Sequence, residues 1–354
     1  MCPLTAIDHA VGLLQVTEEC DEARWDAYVH AHPSASGYHQ IAWRRVLEES
    51  FGHRTVYLAV KDQRGEVCGV LPLVCLSSGL FGRFLVSLPV FNYGGLLAEN
   101  QPVRDSLLMA AVLVAKDLKA QHIELRQTEL FDLGWQQKQH KVSMRLHLPA
   151  DFEVLWKEFP AKLRSQIRRA QKEGMIVRIA GKELLDDFYQ VFSRNMRDLG
   201  TPVYGKKFFE SILHTFPKEA KICTVSLQGR PLAAGFLYGF REKLEIPWAS
   251  SDRRYIRLAP NMLLYSSVLE HACRSGFRTF DFGRSSVDSG TYRFKEQWGA
   301  KPVPLFWYYW VNQPGPLPEL NPQNPKYNLA ISLWRKLPVP LTRIVGPYIA
   351  RHLP

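Results

Sequence analysis

"NMLLYSSVLEHACRSGFRTFDFGRS" (261–285) decides how this chain is read. Tyr265, Val268, Leu269 and Ala272 recur at i, i+3, i+4 and i+7, the spacing of an amphipathic helix. Asn261 is placed to cap that helix and Gly276 to end it, ahead of the strand "TFDFGR". The same plan stands 157 residues earlier. There "SLLMAAVLVAKDLKAQHIELRQ" (106–127) sets Leu108, Ala111, Val112 and Ala115 on one face and runs into the strand "HIELRQ". Glu124 then falls opposite Asp281 at the same offset.

The correspondence extends outward. "IAWRRVLEESFG" (41–52) leads into "TVYLAV", a polar turn "KDQRGE" and "VCGVLPLVCL". "KKFFESILHTFP" (206–217) leads into "ICTVSL", the turn "QGR" and "PLAAGFLYGF". Two apolar runs joined by a short Gly-containing turn predict an antiparallel hairpin in each half, offset by roughly 164 residues. The fold class is therefore α/β (α+β). Two homologous modules each hold a mixed sheet with a hairpin and a final helix–strand unit. The first occupies 1–150, the second 151–312, with the boundary near "HLPADFEVLWKEFPAKL", and a basic Pro-containing tail follows over 313–354.

A length of 354 residues supplies material for two cores, and 46% hydrophobic with 22% charged residues is an ordinary globular balance. A net charge of +11 favours anionic partners: nucleic acid, phosphorylated small molecules or an acidic membrane surface. No apolar run is long enough to cross a bilayer, and "MCPLTAIDHAVGLLQVTEECDEARW" lacks the basic start of a signal peptide. The six cysteines form neither a C-x-x-C nor a zinc spacing, so reduced thiols and a cytoplasmic location are expected. His30, His32 and His39 cluster in a loop-like segment without an acid or cysteine, and no metal is assigned.

Beyond the strand lies "DFGRSSVDSGTYRFKEQWG" (281–299). A "DFG" alone does not make a kinase, because neither a Gly-rich phosphate loop nor an H-R-D catalytic loop is present. Ser285, Ser286, Ser289 and Gly290 instead form a loop rich in donors. Phe294 and Trp298, four residues apart, anchor a short helix and aim Lys295, expected to be exposed. Acyl transfer to an amine needs positive charge or N–H groups where an oxyanion forms, which Lys295 and Arg284 can supply. Asp281 can accept the amine's proton, or it caps a turn at the strand end. Upstream, "KLRSQIRRAQKEG" (162–174) has Leu163, Ile167 and Ala170 on one face. Arg164, Arg168, Arg169 and Lys172 make it basic, either as a solvated face or as a site for tRNA or carrier phosphates.

Taken in order, this basic helix, the "GRPLAAGF" hairpin, the 261–285 stretch and "YRFKEQWG" resemble the Fem (FemABX) family of aminoacyl transferases. The branch found beside exosortase (PEP-CTERM) exopolysaccharide systems is the more similar, through "FNYGG" (91–95) and "LWRKLPVPLTRIVGPYIARHLP" (333–354). The resemblance, over roughly residues 30–310, implies two GNAT-like (N-acetyltransferase fold) modules sharing a cleft. It implies transfer of an acyl or aminoacyl group from acyl-CoA or aminoacyl-tRNA, a cosubstrate rather than a bound cofactor, to an amine. That amine belongs to a nucleotide-sugar, lipid-linked or polysaccharide precursor of the envelope.

By that resemblance Lys295 matches the lysine of the family's F-K motif and Trp248 an aromatic of the acceptor cleft. Asn92, with Tyr93, sits near an acidic residue of related ligases. The two basic residues that hold a muropeptide diphosphate in the family fall at Leu47 and Tyr204, with Arg45, Lys206 and Lys207 close by, so a different acceptor is implied. Ser285 joins the three arginines as donor-binding. No R/Q-x-x-G-x-G/A coenzyme A loop is visible, which favours the aminoacyl-tRNA donor. The alternatives are a non-catalytic tRNA- or nucleic-acid-binding protein, although no RRM, helix-turn-helix or zinc pattern supports it, and a peripheral membrane accessory. In the latter, residues 320–354 meet the inner membrane or pack on the protein body.

Overall fold

The structure, a computed structural model, describes residues 9–11, 14–79, 82–313 and 328–353. The first eight residues with Cys2, and the stretch 314–327 of the Pro-containing tail with Lys326, lie outside the described residues. Two compact units share the chain: Met1–His140 with Pro304–Glu319 and His352–Pro354, and Lys141–Val303 with Leu320–Arg351.

In the first unit the order is β1 (His9–Val11), β2 (Leu14–Thr17), α1 (Glu22–Ala31), α2 (Trp43–Phe51), β3 (Arg54–Lys61) and β4 (Val67–Ser78). β5 (Gly82–Val86), β6 (Leu97–Ala98), α3 (Gln101–Asp117) and β7 (His122–Gln127) follow. Asp21 caps α1 by accepting from the Arg24 N–H (2.9 Å), and Asn100 caps α3 by accepting from that of Val103 (3.1 Å). β1 to β5 pair antiparallel in succession, and β6 adds to β4. β5 lies parallel to β7, pairing Leu85 with Ile123 and Val86 with Glu124. Leu107, Ala111, Val114 and Ala115 of α3 pack on the apolar face of this sheet. Gly69 fits there because a Cβ would stand 2.4 Å from a Val103 methyl.

The second unit starts within β8 (Gln136–His147) and continues through α4 (Phe152–Glu158), α5 (Ala161–Lys172), β9 (Ile176–Ala180), α6 (Leu185–Leu199) and α7 (Lys206–Thr215). Then come β10 (Ala220–Leu227), β11 (Arg230–Phe240), β12 (Lys243–Ser251), α8 (Pro260–Arg274), β13 (Thr279–Ser286) and α9 (Gly290–Glu296). β9 to β12 pair antiparallel, β12 is parallel to β13, and β13 is antiparallel to Lys141–His147 of β8. The chain then enters β14 (Lys301–Val311), whose Phe306–Val311 pair antiparallel with β7 in the first unit.

Each sheet thus runs hairpin, third strand, parallel strand, antiparallel closing strand. The sequence predicts the hairpins, the helices and the final strands. It passes over the third strands, β5 and β12, which are the ones that create the parallel pairs. Tyr265, Val268, Leu269 and Ala272 are all buried on α8. Burial of each large apolar side chain there is worth about 1.5–3 kcal/mol. Gly276, at φ +79°, ends α8 as expected. The start differs: Ala259, at φ +52°, takes the cap position and Pro260 the first turn, so Asn261 is already inside the helix.

α10 (Asn328–Lys336) and α11 (Val339–Ala350) lie against α6 in the second unit. Among the described residues no helix is long and apolar enough to cross a membrane.

Candidate active site

Alternation along β12 puts Leu244 and Ile246 into the core and Lys243 and Glu245 on the opposite face. β13 does the same, with Phe280 and Phe282 in the core and Asp281 on the other face. Parallel register sets Glu245 beside Asp281, and antiparallel register sets Arg145 of β8 on its other side. Five charged side chains, those of Lys243, Glu245, Asp281, Arg145 and Lys295, therefore interact around one point in the second unit.

At that point the sheet opens. β12 and β13 pair over only three residues, ending at Glu245 and Asp281. β12 bulges against β11 between the Tyr238–Glu245 and Phe236–Trp248 pairs, and β13 bulges against β8 between Asp281 and Arg284. Pro247, within the first bulge, has no N–H to offer a ladder. In the second bulge Gly283 stands at φ +76°, where a side chain would be strained. Bulges of this kind bend a strand away from its neighbour and re-aim its side chains.

Asp281 is completely buried. The Ser143 hydroxyl lies 2.6 and 2.7 Å from its two oxygens, the Gly283 N–H donates at 2.8 Å and Arg145 Nε at 3.1 Å. Burial pushes its pKa up, but Arg145, Lys243, the hydroxyl and the backbone N–H outweigh that and hold it below the usual carboxylate range. Asp281 stays ionised at neutral pH and its oxygens are occupied by donors. That arrangement suits an anchor for the cationic cluster better than a proton acceptor.

Lys295 is buried, with 7% of its surface exposed, where the sequence suggests a solvated side chain. The reason is the bulge. It turns the carbonyls of Gly283 and Arg284 toward α9, and Lys295 Nζ donates to them at 2.9 and 3.0 Å. Desolvation lowers its pKa to about 8, against the opposing pull of Asp281 and Glu245 and with a further push from Arg284. An ammonium carries three protons, and the third has no partner among the described residues. Trp298 is fully packed beside Phe294 and Tyr265 and fixes this end of α9, which Ser289 caps by accepting from the Tyr292 N–H (3.2 Å). Ser285 Oγ is buried with no hydrogen-bond partner among the described residues.

The basic helix is α5. Leu163, Ile167 and Ala170 are buried as its spacing predicts. Each arginine has one local partner: Arg164 donates to the Lys157 carbonyl (3.0 Å), Arg168 lies over the Trp156 ring and Arg169 donates to the Arg257 carbonyl (3.1 Å). That last bond ties α5 to the segment between β12 and α8, where Arg253, Arg254 and Arg257 are exposed. Buried Asp252 anchors this segment by accepting from Arg254 Nε (2.9 Å). Sequence spacing does not single out this second arginine group, because Arg253, Arg254 and Arg257 establish no helical or strand periodicity.

The residues expected on the acceptor side divide between the units. In the second, Trp248 is half-buried and packs edge-on to Phe208 and Phe209, and Tyr204 also meets Phe208. In the first, Asn92 and Tyr93 lie on the loop after β5, where Leu88 and Val90 adopt positive φ (58° and 70°). Such strain in non-glycine residues costs about 1–3 kcal/mol each and clusters at functional sites. This loop, with His39, Arg126 and Gln127, lines a small polar pocket. Gln127 Nε2 is buried there without a partner among the described residues. Arg126 is closed off by Glu124 at 2.8 Å, so the position equivalent to Asp281 carries a neutral ion pair in this unit. His39 is held between Ser36 and the Gly95 carbonyl. Arg45 is exposed on α2, while Leu47 beside it is core.

Residues 157–296 match the model of an acetyltransferase (GNAT) domain. No curated protein matches the chain by sequence. Among solved structures, FemX is 16% identical, covering 90% of this chain and 100% of its own, with a TM-score of 0.63. The C-terminal domain of a putative lysylphosphatidylglycerol synthetase from Agrobacterium fabrum is 14% identical, covering 82% and 92%, with a TM-score of 0.56. A tandem GNAT protein from the clavulanic acid biosynthesis pathway is 12% identical, covering 86% and 100%, with a TM-score of 0.55. At these identities the likeness establishes the fold. Residues 157–296 are thus similar to a GNAT domain, and the chain has a mixed α/β architecture that these proteins share over most of its length.

Proposed function

We propose that the chain is an N-acyltransferase that moves an acyl or aminoacyl group from acyl-CoA or aminoacyl-tRNA to an amine of a cell-envelope or exopolysaccharide precursor. The observation that carries this reading is the parting of β12 and β13 directly beyond Glu245 and Asp281, with buried Lys295 beside the gap. Parallel strands that separate leave backbone groups without ladder partners, and an extended acyl arm can take them up. Transfer forms a C–N bond and breaks the donor's C–S or C–O bond. The amine gives up a proton, and the departing thiolate or ribose oxygen receives one. A lysine with a pKa of about 8 can carry that proton near neutral pH, and in its charged form it stabilises the developing oxyanion. Arg284 and Ser285 are the neighbouring donors. The arginines of α5 and of 253–257 suit the phosphates of either donor. Envelope precursors fit as acceptors because FemX and the lysylphosphatidylglycerol synthetase domain share the fold. Asn92, Tyr93, Tyr204, Trp248 and Arg45 are the proposed acceptor-binding residues.

The test pairs radiolabelled acetyl-CoA, or a pool of charged aminoacyl-tRNA, with amine-bearing nucleotide-sugars and lipid-linked sugars. Wild-type protein is expected to yield an amide product, and Lys295→Met to lower the rate by roughly 10²–10³, as loss of one oxyanion donor does. Mass spectrometry of surface polysaccharide from a deletion strain then identifies the amine that loses its substituent. Normal turnover by Lys295→Met would remove this loop from the mechanism.

A further inference from the structure

The face of α11 that looks away from the protein body carries no charge. Thr342, Gly346 and Ala350 form its buried edge, one helical turn apart. A Cβ on Gly346 would stand 2.9 Å from both a Val203 methyl and the Val203 N, so only glycine allows this approach. Arg343 donates to Ser193 Oγ (2.8 Å), Arg197 to the Leu337 carbonyl (2.9 Å) and Arg335 to the Leu199 carbonyl (3.2 Å), which ties both terminal helices to α6. All six exposed positions of α11 are apolar or aromatic: Pro340, Leu341, Ile344, Val345, Tyr348 and Ile349. Ile344 is 65% exposed and Tyr348 70%, and on α10 Leu329 and Leu333 are also exposed, at 72% and 55%.

We propose that this patch seats the second unit on an anionic lipid surface. The charge pattern selects that occupant. After Glu319 the sequence holds Lys326, Arg335, Lys336, Arg343 and Arg351 but no Asp or Glu, so the segment that bears the apolar face carries cations alone. Helices of this composition lie in the plane of a membrane, with apolar side chains below the headgroups and Lys and Arg among the lipid phosphates. A second copy of the chain would bring the same basic border and another net +11 to the interface, which disfavours self-association. The inner faces of α10 and α11 pack on the body while the outer face stays open, so packing and a lipid contact do not exclude each other. Lipid binding here does not depend on the acyl-transfer reading, and its test uses no substrate.

The full chain is floated with vesicles of phosphatidylcholine alone and with phosphatidylglycerol added. Binding is expected only to the anionic vesicles and should weaken as salt is raised from about 0.1 to about 0.5 M, because screening shortens the reach of surface charge. Ile344→Ser with Tyr348→Ser should weaken it by roughly tenfold or more, because less apolar surface enters the lipid. The thermal midpoint should not move, since both side chains are mostly exposed. Arg335→Glu with Lys336→Glu should remove the preference for anionic lipid. Failure to float with anionic vesicles would overturn the proposal, as would equal flotation of the serine variant. A wild-type dimer that the serine variant turns into a monomer would assign the face to a second copy and overturn it as well.

Discussion

Lys295 offers a test of the buried charge cluster that needs no substrate. Its pKa is lowered to about 8 from an ordinary lysine value of 10.5. An unfolded chain therefore binds this proton more tightly than the native one. Below both values each state holds the proton, and the native state carries the full penalty, about 3 kcal/mol at 1.36 kcal/mol per pH unit. As pH rises through 8 the native lysine becomes neutral while the unfolded one is still charged, so stability from this group increases with pH. Between about pH 7 and about pH 10 the recovered part is about 2.5 kcal/mol. Lys295→Met has no proton to bind in either state and lacks this pH dependence. Urea melts of both proteins across that range give the difference directly, and wild type should gain on the variant as pH rises. Parallel curves would refute the reasoning and place Lys295 in water-like surroundings. A variant that gained on wild type with rising pH would refute the sign.

Asp281→Asn removes the counter-charge from Arg145 and Lys243 at a site without solvent, and should cost about 3–5 kcal/mol in a denaturation assay. Because the carboxylate's pKa is held down, its contribution is present above about pH 4 and should fade on acidification in wild type but not in the variant. If Asp281 anchors rather than takes the amine's proton, the acidic limb of the pH–rate profile should survive in whatever activity this variant retains. Changing Arg164, Arg168 and Arg169 together to Gln should weaken binding of a polyanionic donor and reduce the slope of log K against log salt by roughly 0.7–0.9 for each phosphate no longer neutralised. An unchanged slope in a filter-binding assay would return α5 to the role of a solvated face.

Elements held together by near-neighbour periodicity are legible in the chain itself. The helical face of Tyr265, Val268, Leu269 and Ala272, its echo at Leu108 to Ala115, and the hairpins on either side follow from side-chain spacing, because burying one face of a helix or strand needs only local alternation. Glu124 against Asp281 could be aligned for the same reason. The stop at Gly276 was readable because only glycine takes that backbone without strain. The alternation of Lys243, Leu244, Glu245 and Ile246 also marks a strand that the sequence reading passed over.

Other features depend on register between strands distant in sequence, and no local pattern encodes them. Ser143 and Arg145 reach Asp281 only through the pairing of β8 with β13, across 138 and 136 residues. Lys295 looks like a surface residue in "YRFKEQWG" and becomes buried because a bulge at Gly283 turns two carbonyls toward it. The sequence by itself determined the repeat, the helices and the hairpins, since these rest on interactions within a few residues. Only the tertiary structure decided which charges share a dehydrated site and which proton is loosely held, because desolvation is a property of everything packed around a group and not of its neighbours along the chain.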